Sequence, residues 1–222
     1  MVGGWIVQHL LERGEDPRAI RIMDLRPPQR YTITSRDIAF FNIDVSDSDT
    51  VSSAFASPWP DAVRSSPLTV YHTVAYIKPS ERKADFLSPY LNVNLEGTRN
   101  VLAAAKSAGC SIFIATSSAS VCLKPPAYFA APWRRHPLNI LQVSENADPD
   151  NPDAPLEQYA GCYAYTKARA EKLVRDADST KDGFRTGAIR PGHAIYGHGD
   201  ENPMSIAYDY LRRGGSPTYV LA

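Results

Sequence analysis

Strand-like and helix-like segments alternate along almost the whole chain, and this alternation restricts the fold more than any other feature. Residues 1–14 read as a helix, with Ile6, Val7, Leu10 and Leu11 on one stripe and Gly14 as the stop. Residues 19–23 form a short apolar strand that ends at Asp24 and is broken by Arg26-Pro27-Pro28. A second strand, 38–43, again ends at an acid, Asp44. A helix over 47–56 follows, with Ser46 or Asp47 as cap, and then a strand over 67–75. A long helical pattern covers 85–108, with Pro89 near its first full turn and Gly109 ending it. Further on come a strand over 111–115, a helix over 159–177 and a strand over 184–189. A helix over 203–213 and the start of a strand at 218–221 complete the pattern. This order predicts an α/β fold: a doubly wound parallel sheet with helices on both faces. Right-handed crossovers place the strand C-termini along one edge, where ligands of such sheets bind. Asp24, Asp44, Ala75, Ser118 and Arg190 all fall at or just beyond that edge.

Composition removes several classes of function. Twenty-four basic residues balance 24 acidic ones, so nothing points to nucleic acid or an anionic membrane surface. The short run Trp133-Arg134-Arg135-His136 reads as a solvated loop. Apolar runs are too short for a membrane span. Cys110, Cys122 and Cys162 are widely spaced and odd in number, which argues for a reducing compartment and against a disulfide framework. No His pair has the spacing or carboxylate support of a metal site, so no metal is expected; His72, His193 and His198 read as strand-end or loop residues. Residues 123–157 are rich in proline and polar side chains and read as a long insertion.

The chemistry concentrates in Tyr163-Ala164-Tyr165-Thr166-Lys167. A tyrosine four residues before a lysine puts a phenol and an ammonium on one helical face. The positive charge favours phenolate and brings a weak base towards its working range. Read by itself, the same pattern also fits a half-buried tyrosine beside a solvated lysine. Gly3 and Gly4 open the first helix, and Asp24 follows at the distance of a ribose-binding acid in dinucleotide folds. Its charge would repel a 2′-phosphate and so favours NAD over NADP, although Arg26 lies nearby. The alternative for Asp24 is a turn residue before Arg-Pro-Pro.

Taken in order, Val2-Gly3-Gly4, Asp24, Asp44-Val45, Asn94-Leu-Glu-Gly97-Thr98, Thr116-Ser-Ser118-Ala-Ser-Val, Tyr163-x-x-x-Lys167 and Arg190-Pro191-Gly192 resemble the extended short-chain dehydrogenases. The texture is most similar to the 3β-hydroxysteroid dehydrogenase/isomerase family, within it to fungal sterol-4α-carboxylate 3-dehydrogenases of the decarboxylating type. Val70-Tyr-His72-Thr-Val-Ala75-Tyr resembles the family's segment under the nicotinamide half of the cofactor. The resemblance implies a Rossmann fold that binds NAD through Gly3, Asp24, Asp44, Val45, Ala75, Tyr163, Lys167 and Pro191. It implies catalysis by Ser118, Tyr163 and Lys167, with Asn94 anchoring a proton-relay water. Ser117 or Ser120 could instead be caps among the hydroxyl residues, and Asn94 a helix-surface amide.

The implied substrate is a sterol or steroid 3β-alcohol, with decarboxylation if it carries a 4-carboxylate. The competing readings are a nucleotide-sugar epimerase or dehydratase, a carbonyl reductase, or a non-catalytic NAD-binding relative. A homodimer is compatible with the family. The implied location is the cytoplasmic side of the cell, at the endoplasmic reticulum membrane for a full-length sterol enzyme anchored by further segments. Residues 1–200 would form the NAD-binding domain and 201–222 the start of a substrate-binding region. The family turn is Gly-x-x-Gly-x-x-Gly after a buried strand, and only its third glycine, Gly3, is matched. The expectation is therefore a fragment, or a misplaced start, lacking the central first strand and most of that turn.

Overall fold

The computed structural model describes residues 2–28, 33, 37–78, 81–123 and 154–192. The helix expected at 203–213, the strand at 218–221, His193, His198, residues 133–136 and most of the 123–157 insertion lie outside the described residues.

The alternation read from the sequence is present. Helix α1 (Val2–Glu12) precedes strand β1 (Arg21–Asp24), and β2 (Ala39–Asn42) pairs with β1 in parallel from Arg21↔Ala39 to Asp24↔Asn42. Helix α2 (Ser48–Ala56) follows, with the Asp47 carboxylate accepting from the amides of Asp49 and Thr50. Strand β3 (Thr69–His72), helix α3 (Leu87–Tyr90), a π-helical segment (Leu91–Glu96) and helix α4 (Gly97–Ser107) come next. Strand β4 (Ile112–Thr116), helix α5 (Cys162–Asp176) and strand β5 (Arg185–Ile189) complete the described elements. Strands β3, β4 and β5 form a second parallel sheet in that order. Among the described residues no ladder joins β1 to β3. The break falls where the 3-2-1-4-5-6 order of a doubly wound sheet seats its first strand.

The core explains which faces are apolar. Ile43, Val45, Val51, Val101, Phe113 and Val174 belong to one buried cluster that ties both sheets to α2, α4 and α5. Within β4, Phe113 and Ala115 face this core, while Ile112, on the other pleat, is 44% exposed. Helix α1 has its expected apolar stripe, yet none of its residues is buried. It approaches the sheet at Gly3, where a Cβ would lie 2.9 Å from Thr73 Oγ1, just past β3.

Three elements differ from expectation. The strand expected over 67–75 ends at His72, because beyond it the main chain of Tyr76 bonds to a side chain rather than to a strand. The helix expected from 159 starts at Cys162, because Gly161 adopts φ 153° and residues Leu156–Gln158 form a separate 3-10 turn. The single helix expected over 85–108 is a 3-10 turn (Ala84–Phe86), an α turn, a π-helical segment and a second α-helix in succession.

Candidate active site

The strand ends and α5 bring most of the chemically active side chains to one edge. Lys167 lies on α5, is buried, and donates from Nζ to the Thr116 carbonyl at 2.5 Å, at the exit of β4. Burial pushes its ammonium down to about 8, against the opposing pull of Glu171. Tyr163, one turn earlier on the same helix, is half-buried.

Ser118 follows β4 in extended geometry and caps the 3-10 turn Ala119–Cys122. Its Oγ accepts from the Ser120 amide at 3.1 Å and from the Ser120 hydroxyl at 2.9 Å. Both lone pairs are thereby engaged, which directs the Ser118 proton outward as a donor. The turn is pinned to the exit of β5 on either side of Ser118. Ser117 N donates to Ile189 O at 2.7 Å, and Ala119 N donates to Pro191 O at 2.9 Å. Pro191 thus meets the serine turn through its main chain.

Asn94 is not a surface amide: it is 1% exposed, within the π-helical segment. Its Oδ1 accepts from Tyr76 N at 2.7 Å, while Nδ2 donates to Tyr76 O and Thr166 Oγ1, both at 3.1 Å. One side chain therefore holds the segment after β3 against α5. The Asn94 carbonyl accepts the Thr98 hydroxyl at 2.6 Å, and Thr98 Oγ1 lies 2.9 Å from His72 Nε2. Thr98 has one proton, used on that carbonyl, so His72 donates from Nε2. Burial drives the His72 ring down to about 3, with the Lys167 charge acting in the same direction, so it is neutral.

At the other half of the edge, the exposed Asp24 closes its own turn by accepting from Arg26 N at 3.1 Å. Asp44 accepts from the Ser46 amide and hydroxyl. Val45 is buried, and its carbonyl accepts from Asn100 Nδ2 at 3.0 Å. Ala75 is exposed in the loop after β3. Asn100 and Glu171 had no place in the sequence reading, which took Ser117 only as a possible cap and Arg190 as a strand-end residue of the Arg190-Pro191-Gly192 motif. For Glu171 a signal was present, since Tyr163, Lys167 and Glu171 recur every four residues on one face. No helix among the described residues is long and apolar enough to cross a membrane, and no group of His, Cys, Asp and Glu among them could hold a metal ion.

The architecture and these motifs have counterparts. A short-chain dehydrogenase/reductase superfamily protein from Agrobacterium tumefaciens, solved with bound NAD, superposes with a TM-score of 0.55 at 25% identity. That match covers 86% of this chain and 45% of the other. The UDP-glucose 4-epimerase of Thermus thermophilus, in complex with NAD, gives 0.60 at 19% identity over 97% of this chain and 60% of that one, a likeness of fold. In sequence, a Vaccinia virus (strain Ankara) 3 beta-hydroxysteroid dehydrogenase/Delta 5-->4-isomerase is 27% identical over 223 aligned residues, 98% of this chain and 56% of the viral protein. The Mus musculus sterol-4-alpha-carboxylate 3-dehydrogenase, decarboxylating, is 32% identical over 148 residues, 66% of this chain and 34% of the mouse protein. The chain thus spans about a third to three fifths of the length of these proteins. The model of the 3-beta hydroxysteroid dehydrogenase/isomerase family matches residues 1–220, and to that family this chain belongs.

Proposed function

We propose that the chain carries the dinucleotide-binding and catalytic part of an NAD-dependent dehydrogenase that oxidises the 3β-hydroxyl of a sterol or steroid. The observation that carries this reading is the buried Lys167 ammonium at the exit of β4, one turn from Tyr163 and bonded two residues before Ser118. The residues present suit a dinucleotide. Gly3 brings the start of α1 within contact of Thr73, and Asp24 offers an exposed carboxylate at the end of β1. Gly3, Asp24, Asp44, Val45, Ala75, Tyr163, Lys167 and Pro191 are the residues assigned to hold it. When bound, NAD supplies the hydride acceptor.

The protein's part is to hold the alcohol and remove its proton. Ser118 donates a hydrogen bond to the substrate oxygen and holds it beside the phenol. Tyr163 takes the hydroxyl proton as the carbon-bound hydrogen departs, and the charge on Lys167 makes that transfer easier. Asn94 keeps the loop after β3 and the catalytic helix in register around a proton relay to solvent. A 4-carboxysterol oxidised at C3 becomes a β-keto acid, whose carboxylate leaves as carbon dioxide while the ketone takes up the electron pair. The family's sterol members and the identity to the mouse enzyme support this finer assignment.

The test is NADH formation from 3β-hydroxysterols with and without a 4-carboxylate, alongside calorimetric titration with NAD. Tyr163→Phe should abolish turnover and leave NAD affinity nearly unchanged. Retained turnover would remove the phenol from the mechanism, and conversion of nucleotide sugars instead of sterols would overturn the substrate class.

A further inference from the structure

A buried charge cluster stands behind the proposed catalytic residues. Glu171, one turn beyond Lys167 on α5, is 5% exposed. Its carboxylate accepts the Ser117 hydroxyl at 2.5 Å and a forked pair from Arg190, with Nε at 2.9 Å from Oε2 and Nη2 at 2.6 Å from Oε1. Arg190 also reaches Cys122 Sγ with Nη1 at 3.2 Å. Three segments therefore meet on one side chain: the catalytic helix, the turn that presents Ser118, and the exit of β5. Ser118 is itself the residue between Ser117, held by Glu171, and Ala119, held by Pro191.

Resting on the dehydrogenase reading above, we infer that Glu171 is a positioning residue of that site: it fixes the Ser118 turn against the catalytic helix and supplies the anion that keeps the buried Lys167 charged. A carboxylate used only for packing would cost more to bury than an apolar side chain of its size. Here each of its oxygens is bonded, and the cluster sits directly behind both the serine and the lysine. Burial by itself would raise the Glu171 carboxyl, but the bonds from Arg190 and Ser117 hold it below the usual carboxylate range, so it is an anion at neutral pH. The charged or titratable groups around Lys167 are few. Tyr163 and Glu171 share its helix, His72 comes from β3, Cys122 from the serine turn, and Arg190 from the exit of β5. With His72 neutral, Glu171 is the charge that acts on the Lys167 ammonium, and Arg190 acts through its pairing with Glu171.

The test is the titration of Lys167 in the chain labelled with 13C-lysine, followed by NMR and assigned with Lys167→Arg. It requires neither NAD nor turnover. Glu171→Gln should lower the Lys167 midpoint, and Arg190→Gln, which leaves the Glu171 charge uncompensated, should raise it, each by on the order of 1 pH unit. Opposite shifts in two variants are beyond what loosened packing can give. Unchanged midpoints, or shifts of the same sign, would overturn the charge role. Ser117→Ala keeps both charges and tests positioning: the Lys167 midpoint should stay, while kcat on the sterol alcohol falls several-fold with little change in KM for NAD. If Glu171→Gln does not fold, Arg190→Gln and Ser117→Ala decide the matter. If no variant or parent turns over substrate, the midpoints still test Glu171, and it is the dehydrogenase reading that fails.

Discussion

Acid should unfold this protein through His72 before it protonates the carboxylates. The ring is 4% exposed at the end of β3, donates to Thr98, and lies 5.9 Å from the Phe113 ring. In the folded chain it takes a proton only near about 3, whereas an unfolded histidine does so at 6.5. Between those values the unfolded state binds more protons, so stability falls as pH falls. The contribution is complete above 6.5 and is lost progressively as the pH approaches 3. The full difference corresponds to about 5 kcal/mol, and between about pH 7 and about pH 5 the loss is about 2 kcal/mol. That is a large fraction of a typical domain stability of ~5–15 kcal/mol. Urea unfolding followed by circular dichroism at these two pH values measures it. His72→Gln keeps an amide donor for Thr98 and cannot be protonated. It should therefore cut the pH dependence of the unfolding free energy by about 2 kcal/mol. Equal pH dependence in the parent and the variant would refute the argument, because the buried imidazole would then not be the group that titrates.

Other perturbations follow from contacts already described. A Cβ at Gly97 would lie 2.6 Å from Val45 Cγ2, so Gly97→Ala should destabilise by about 1–3 kcal/mol, and Val45→Ala should restore most of the loss in a double-mutant cycle. Asn94→Leu strips Tyr76 N and O of their partners, and should cost about 3 kcal/mol and open the 73–78 loop to limited proteolysis. Arg21 lies 3.9 Å from the Trp59 ring and donates to the carbonyls of Ala54, Ser57 and Pro58; Arg21→Lys should lose about 1–2 kcal/mol in the same urea assay. Burial raises the thiols of Cys110 and Cys162, while Cys122 is partly exposed, so iodoacetamide should label Cys122 first and the other two only on unfolding.

The sequence was most legible where periodicity is strong. The succession of strands and helices, and the shared face of Tyr163 and Lys167, could be read directly because side-chain spacing encodes them. Elements that depend on a distant partner could not. The strand expected to run to Ala75 stops at His72 because Asn94 takes the main-chain groups of Tyr76, a contact across eighteen residues that no local pattern shows. The acid after Lys167 had the right spacing, but burial and pairing with Arg190 were invisible until β5 was placed beside α5. Asn100 looked like any polar residue on a helix; its bond to the Val45 carbonyl arises from the packing of α4 on the loop after β2. Asp24 closes the turn that was one of its two readings, by accepting from Arg26 N at the end of β1.

The π-helical segment has a consequence of a different kind. Over residues 91–96 the ladder is offset by one residue, as in the bond from Gly97 N to Asn92 O. The segment works as a phase shifter. Before it, Tyr90 bonds to the loop after β3, as Asn94 does within it; after it, Gly97, Thr98 and Val101 turn to the core. Wound as an ordinary α-helix, the same residues would rotate one half against the other by about 100°. The helix could then hold Tyr76 or bury Val101, but not both. The information resides in a residue count rather than in any residue's identity, so a substitution scan would pass over it, whereas deleting one residue there would let ordinary α winding keep both faces.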